Sequence, residues 1–223
     1  MVNIDTVYQR VLAFANKEQR GYVTPQEFNL FANQAQLEIF EQYFYDLNQA
    51  SRTHGNDTIY ADVDDMLEEK IQVFERTSAI YVSGDIYRLH SVRYNNTNCE
   101  ILRKLDFNDA KSGGPLTAPS DTRPVANVSG GILSVVGSGN LPLTPSEISY
   151  VKKPTKAVWD YFVVNDKALY NGTTSFDFEL HPSEETELVY KILKFAGLAM
   201  QRSDIAQGGQ GLESLQIQQE NNK

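Results

Sequence analysis

Residues 115–164, PLTAPSDTRPVANVSGGILSVVGSGNLPLTPSEISYVKKPTKAVWDYFVV, decide how this chain is read. Pro115, Pro119, Pro124, Pro142, Pro145 and Pro154 separate the runs Ile132 to Val136, Glu147 to Lys152 and Val158 to Val164. Each run is too short for a helix and is rich in β-branched or aromatic side chains, so each reads as a strand. No coherent set of catalytic residues accompanies them. The pattern is that of a scaffold for contacts, in a protein that binds something or assembles with itself.

Outward from this stretch, the strand character reaches back to about residue 79 and forward to about 181. Ala79 to Val82, Ile86 to Tyr94 and Cys99 to Leu102 read as strands, the last two joined by Asn95-Asn96-Thr97-Asn98 as a hairpin. Before them the first 77 residues read as helical. Asp5 is expected to cap a helix through Ala15, with Val7, Val11, Leu12 and Ala15 at helical spacing and Gly21 as the turn. Thr24-Pro25-Gln26-Glu27 then forms a capping box with proline in the first helical turn. The helix it opens carries Phe28, Phe31, Ala32, Ala35, Ile39 and Tyr43 on one stripe, widened by Leu30, Leu37, Phe40 and Phe44, and is expected to be buried on more than one side.

A polar loop over residues 48–58 precedes a third helix, in which Val63, Met66, Leu67, Lys70, Ile71 and Phe74 repeat at three and four. At the other end Ser183 is expected to cap a last helix, with Glu184, Glu185 and Glu187 in its first turn and Leu188, Val189, Ile192, Leu193, Ala196, Ala199 and Met200 on one face. That stripe needs a partner, and the N-terminal helices supply it. The expected fold is therefore α+β: a helical bundle formed by residues 1–78 and 183–203, a mostly antiparallel β domain inserted at 79–182, and an extended or partly disordered tail at 204–223.

The composition bounds the function. A chain of 223 residues, 41% hydrophobic and 11% aromatic, can bury a real core. Its net charge of -9 and pI near 4.9 argue against a surface that grips nucleic acid, because phosphate binding needs clustered Lys and Arg. Cys99 is the sole cysteine, so neither an intrachain disulfide nor a thiolate metal cluster is available. Met1-Val2-Asn3-Ile4-Asp5 lacks a basic start followed by an apolar run, so no secretory signal is expected, and no apolar run approaches the roughly 20 residues of a membrane helix. The sequons at Asn56, Asn95, Asn127 and Asn171 then mean turn-rich polar surface.

Each chemical template fails on its ligands. Asn16 to Glu27 places Gly21, Val23 and Glu27 in the register of a calcium loop, but Asn16 is neutral and Arg20 stands where an oxygen donor is needed. His54, His90 and His181 share no ligand spacing. Gly130-Gly131 and Gly137-Ser138-Gly139 extend to no phosphate-binding fingerprint, and Cys99 has no activating partner nearby. Asp62, Asp64, Asp65, Glu68 and Glu69 read as a solvated helical turn. Trp159 reads as a core residue or a partner anchor. No catalytic residue, metal or cofactor is expected.

Pro115 to Pro119, Thr122-Arg123-Pro124-Val125, Gly131 with Ile132 to Val136, Tyr150 to Pro154 and Trp159 resemble ring-forming virion proteins of tailed double-stranded DNA phages, the crAss-like and related short-tailed phages. Phe178 to Ser183, Glu187 to Val189, Lys191 to Leu193 and Ala196-Gly197 continue the resemblance, as do Val7-Tyr8, Asn16-Lys17 and Gly21 to Phe28. It implies a head-to-tail connector subunit of the virion, made in the host cytoplasm. Such a subunit forms a homo-oligomeric ring between the portal protein and adjoining tail or ring proteins, without contact to membrane. Packaged DNA passes through without sequence-specific binding. Leu212, Leu215 and Ile217 are expected to dock a partner, being apolar on a segment with no core of its own, and Trp159 is the further interface candidate. The alternative is a ligand-binding tail or adhesin module that recognises a carbohydrate or peptide.

Overall fold

The computed structural model describes residues 1–15, 23–52, 58–114, 116–165, 167–199, 210–211 and 213–215. It mixes helices with mostly antiparallel sheets and divides into two compact units. One is Met1–Val73 with Pro154–Lys223; the other is Phe74–Lys153. The second unit is shorter than the expected strand region, because residues 154–182 stand with the helices. The division also separates charge. Phe74–Lys153 holds nine Lys or Arg against seven Asp or Glu, for +2, and the remainder holds 11 against 22, for -11.

In the first unit, α1 (Ile4–Ala15) is capped by Asn3, not Asp5: the Thr6 N–H donates to Asn3 Oδ1 at 3.0 Å. Its inner face is Ile4, Val7, Tyr8, Val11 and Ala15. The capping box opens α2 (Pro25–Arg52) as read, with the Glu27 N–H donating to Thr24 Oγ1 at 3.3 Å and the Thr24 N–H to Glu27 Oε2 at 3.0 Å. Hydrogen bonds from the Thr24 backbone and hydroxyl hold the Glu27 carboxyl below its ordinary range. Phe28, Ala32, Ala35, Ile39, Phe40 and Tyr43 are buried, but Leu30 is 70% exposed and Leu37 is exposed too. At about 100° per residue these two leucines stand on the opposite side of the helix from Phe28. So α2 is not covered all round.

The helix α3 (Thr58–Gln72) turns Leu67 and Ile71 inward and leaves Met66, Asp65, Glu68 and Glu69 in solvent; the side chains of Asp62, Val63 and Asp64 lie outside the described residues. At the far end His181, not Ser183, makes the cap. Its Nδ1 accepts from the Ser183 N–H at 3.3 Å and opens a 3-10 turn, Pro182–Glu184, that leads into α5 (Glu185–Ala199). Leu188, Val189, Ile192, Leu193 and Ala196 form the buried stripe, packed on α1 and α2, while α2 also packs on α3.

The second unit begins with β1 (Glu75–Ser78), where a helix and then a strand from Ala79 were expected. Ile80 and Val82 instead lie in an irregular, exposed connection. β2 (Ile86–Tyr94) turns through Asn95 and Asn96, both at positive φ, into β3 (Thr97–Asn98), so the hairpin is tighter than the four-residue loop read from sequence. β4 (Glu100–Ile101) leaves the hairpin and pairs in parallel with β5 (Val125–Ser129). Between them lies α4 (Lys104–Ser112), a helix not expected. It buries only Phe107, so it has almost no apolar period to read. β6 (Ile132–Val136) pairs with β5, and β7 (Glu147–Lys152) lies between β1 and β2.

Val92 and Ile148 from one sheet meet Ala126 and Val135 from the other, with Cys99, in a common core. Burial pushes the Cys99 thiol up, as expected of an inert core cysteine. Asn127 is also buried, its amide donating to the Leu102 carbonyl at 2.8 Å, so this sequon is core and not polar surface.

Candidate assembly surfaces

The segment 155–159 is extended and, apart from an isolated bridge between Val158 and Phe176, belongs to no sheet among the described residues; its other partner is a helix face. Asn29, Asn33 and Gln36 share one flank of α2, and each meets an alternate residue of the segment. Asn29 accepts from the Trp159 N–H at 2.8 Å and donates to the Trp159 carbonyl at 3.1 Å. Asn33 accepts from the Ala157 N–H at 3.0 Å and donates to the Ala157 carbonyl at 2.8 Å. Gln36 donates to the Thr155 carbonyl at 2.8 Å and accepts from the Glu179 N–H at 3.3 Å. A primary amide carries donor and acceptor side by side, as a strand neighbour does, so the three side chains stand in for a missing strand.

This ladder delivers Trp159 to the core. Trp159 is 2% exposed, its Nε1–H donates to Asp5 Oδ1 at 2.9 Å, and its ring lies 4.2 Å from that of Tyr8. Of its two sequence readings, the structure places it as core, with no surface for a partner. The amides were legible as a signal but not read: three of them recur at i, i+4 and i+7 along one flank of the helix.

Just beyond, β8 (Tyr161–Val164) and β9 (Lys167–Tyr170) form a two-stranded antiparallel ribbon, of which β9 was not expected. Tyr161 and Tyr170 are cross-strand partners at its base, with rings 5.8 and 5.9 Å from Trp159. Toward the tip it is apolar and uncovered: Phe162 is 50% exposed, Val163 is 64%, and Val164 and Leu169 are exposed as well. Phe162 and Val163 are consecutive strand residues, so both faces carry apolar surface to water. Two-stranded ribbons are marginal by themselves, and the tyrosine base on Trp159 is what anchors this one.

A second feature is a buried run of charge along α5. Lys191 Nζ lies 3.4 Å from Glu187 Oε1, 2.8 Å from Glu213 Oε1 and 3.5 Å from Gln42 Oε1. Lys194 Nζ reaches the other Glu213 oxygen at 3.1 Å. Glu184 is paired with Lys70 at 2.8 Å. Burial pushes the Glu187 carboxyl up to about 7, Lys191 opposing the rise and Glu184 adding to it. Burial works against the Lys191 charge, but Glu213 and Glu187 outweigh it and hold its ammonium above the ordinary value.

Of the remaining candidates, Leu215 is described and is 57% exposed, while Leu212 and Ile217 lie outside the described residues. Where the tail was expected to be extended or disordered, Gln210, Gly211 and Glu213 to Leu215 are helical, and Glu213 is buried. His54, Asn56 and residues 16–22 of the calcium-loop reading lie outside the described residues. His90 stands on β2, 3.9 Å from Glu75, beside a shallow hollow of about 240 Å³ lined also by Arg76, Thr77, Ser149 and Tyr150. Among the described residues no cluster of three or more His, Cys, Asp or Glu is placed to hold a metal, and no helix is long and apolar enough to cross a membrane. No protein-family profile matches this chain, and no curated protein matches its sequence.

Proposed function

We propose that this chain is a structural subunit of a phage virion, a head-to-tail connector that assembles as a ring around the DNA channel between portal and tail. In this reading the helices of both chain ends form a bundle as the ring body, and the β domain is an insertion carried by it. The observation that carries the proposal is the β8–β9 ribbon, whose Phe162, Val163, Val164 and Leu169 present apolar surface on both faces. Uncovered apolar surface on both faces of a ribbon is what a subunit needs for contact with a neighbour. A ring requires two different complementary surfaces on each copy, and the charge division supports that arrangement. The -11 unit suits a channel wall along which DNA slides without sticking.

Cryo-electron microscopy of the virion tests this. The expected result is symmetric density at the head-to-tail junction that fits both units and covers the ribbon. Density for the chain only at a fibre or tail tip overturns it. The second reading, recognition of a carbohydrate or peptide, rests on the hollow beside His90 and Tyr150. At about 240 Å³ it is smaller than the roughly 300–1,000 Å³ of ordinary ligand sites. A melting shift on adding a glycan or peptide would favour it.

A further inference from the structure

Among the described tail residues no apolar side chain is buried. Leu215 is 57% exposed, Ser214 is exposed, and Gln210 and Gly211 are exposed too. Yet the Glu213 carboxylate is buried, with one oxygen 2.8 Å from Lys191 Nζ and the other 3.1 Å from Lys194 Nζ. The two lysines are three apart on α5 and so share a face, and a two-oxygen acid bridges them.

The surroundings favour an acid at this point. Lys191 is buried and faces Glu187 from its own helix, Gln42 from α2 and Glu213 from the tail. Glu187 in turn faces Glu184, which Lys70 already engages. With Glu187 pushed up to about 7 and therefore partly protonated near neutrality, Glu213 is the dependable counter-charge for Lys191. Burial resists the charge on Glu213, but the hydrogen bonds and charges of Lys191 and Lys194 prevail and hold its carboxyl below the ordinary value. A buried ammonium left without its partner is costly, so the pair holds together while it is intact and gives way as a unit when one member is neutralised.

We propose that Lys191 and Lys194 form a docking site for an acidic side chain, filled within the same chain by Glu213, which thereby latches the 210–215 segment onto α5. The latch goes beyond the connector reading and does not depend on it.

Hydrogen exchange on the full-length chain tests the latch. Glu213→Gln is expected to raise exchange of the 210–215 amides at least tenfold while leaving α1 unchanged, and Lys194→Gln to give a smaller rise. Leu215→Ser is expected to change nothing, since that side chain faces solvent. A synthetic peptide of residues 208–217, added to the Glu213→Gln chain, is expected to bind, and the same peptide with Gln at 213 is not. Unchanged exchange in Glu213→Gln, or an equal rise in Leu215→Ser, overturns the latch; equal binding of the two peptides overturns the docking site.

Discussion

β7 and the segment 155–159 lie two residues apart in the chain and are held by different chemistry. β7 is bonded backbone to backbone on both sides, by β1 and by β2. The 155–159 segment takes most of its bonds from the side chains of Asn29, Asn33 and Gln36, with one main-chain pairing, Val158 to Phe176. A sheet accepts almost any side chain at a given rung, because the bonding groups are common to every residue. An amide ladder is written in three particular residues and fails when one is changed. Both kinds of bonding occur in the helical unit, where β8 and β9 form a main-chain ladder beside the amide one.

Trp159→Ala cuts deepest, because it empties the site that the ladder fills. A loss of about 3–5 kcal/mol of unfolding free energy is expected in urea, confined to the helical unit by hydrogen exchange. Asn33→Ala comes next, at about 2 kcal/mol, because the N–H and carbonyl of Ala157 both lose their partner. Its control is Ser149→Ala on β7, where a change within about 0.5 kcal/mol is expected. Equal losses at Asn33 and Ser149 would erase the distinction.

Acidity sharpens it further. The Glu187 carboxyl keeps its proton to about 7 in the folded chain, against an ordinary value of 4.5. Its contribution is therefore complete below pH 4.5 and is lost as pH rises through 7. Melting followed from pH 5 to 8 should show that decline in the helical unit, and Glu187→Gln should flatten it. The smallest effect is at the capping box, where Thr24→Ala should lower stability by about 0.5–1 kcal/mol in the same assay.

The same contrast explains what the sequence disclosed. The buried stripes of α2 and α5 were legible because Phe28, Ala32, Ala35 and Ile39, or Leu188, Ile192 and Ala196, repeat with the helical period. β6 and β7 were legible from their β-branched runs. The helix α4 was not, having one buried residue, and the caps at Asn3 and His181 were displaced by the nearby Asp5 and Ser183, either of which has cap chemistry. Least legible were the amide ladder and the Glu213 contact. Both are pairings between distant residues, and a one-dimensional pattern carries no record of which distant group a side chain will meet.

That distance has a consequence in time. Asn33 and Ala157 are separated by 124 residues. At a synthesis rate of about 5–20 residues per second, α2 waits roughly 6–25 seconds for the segment its amides are shaped to hold. The whole of Phe74–Lys153 is made within that interval. The strand-rich unit is therefore complete in the growing chain before α5, on which α1 and α2 pack, has been made.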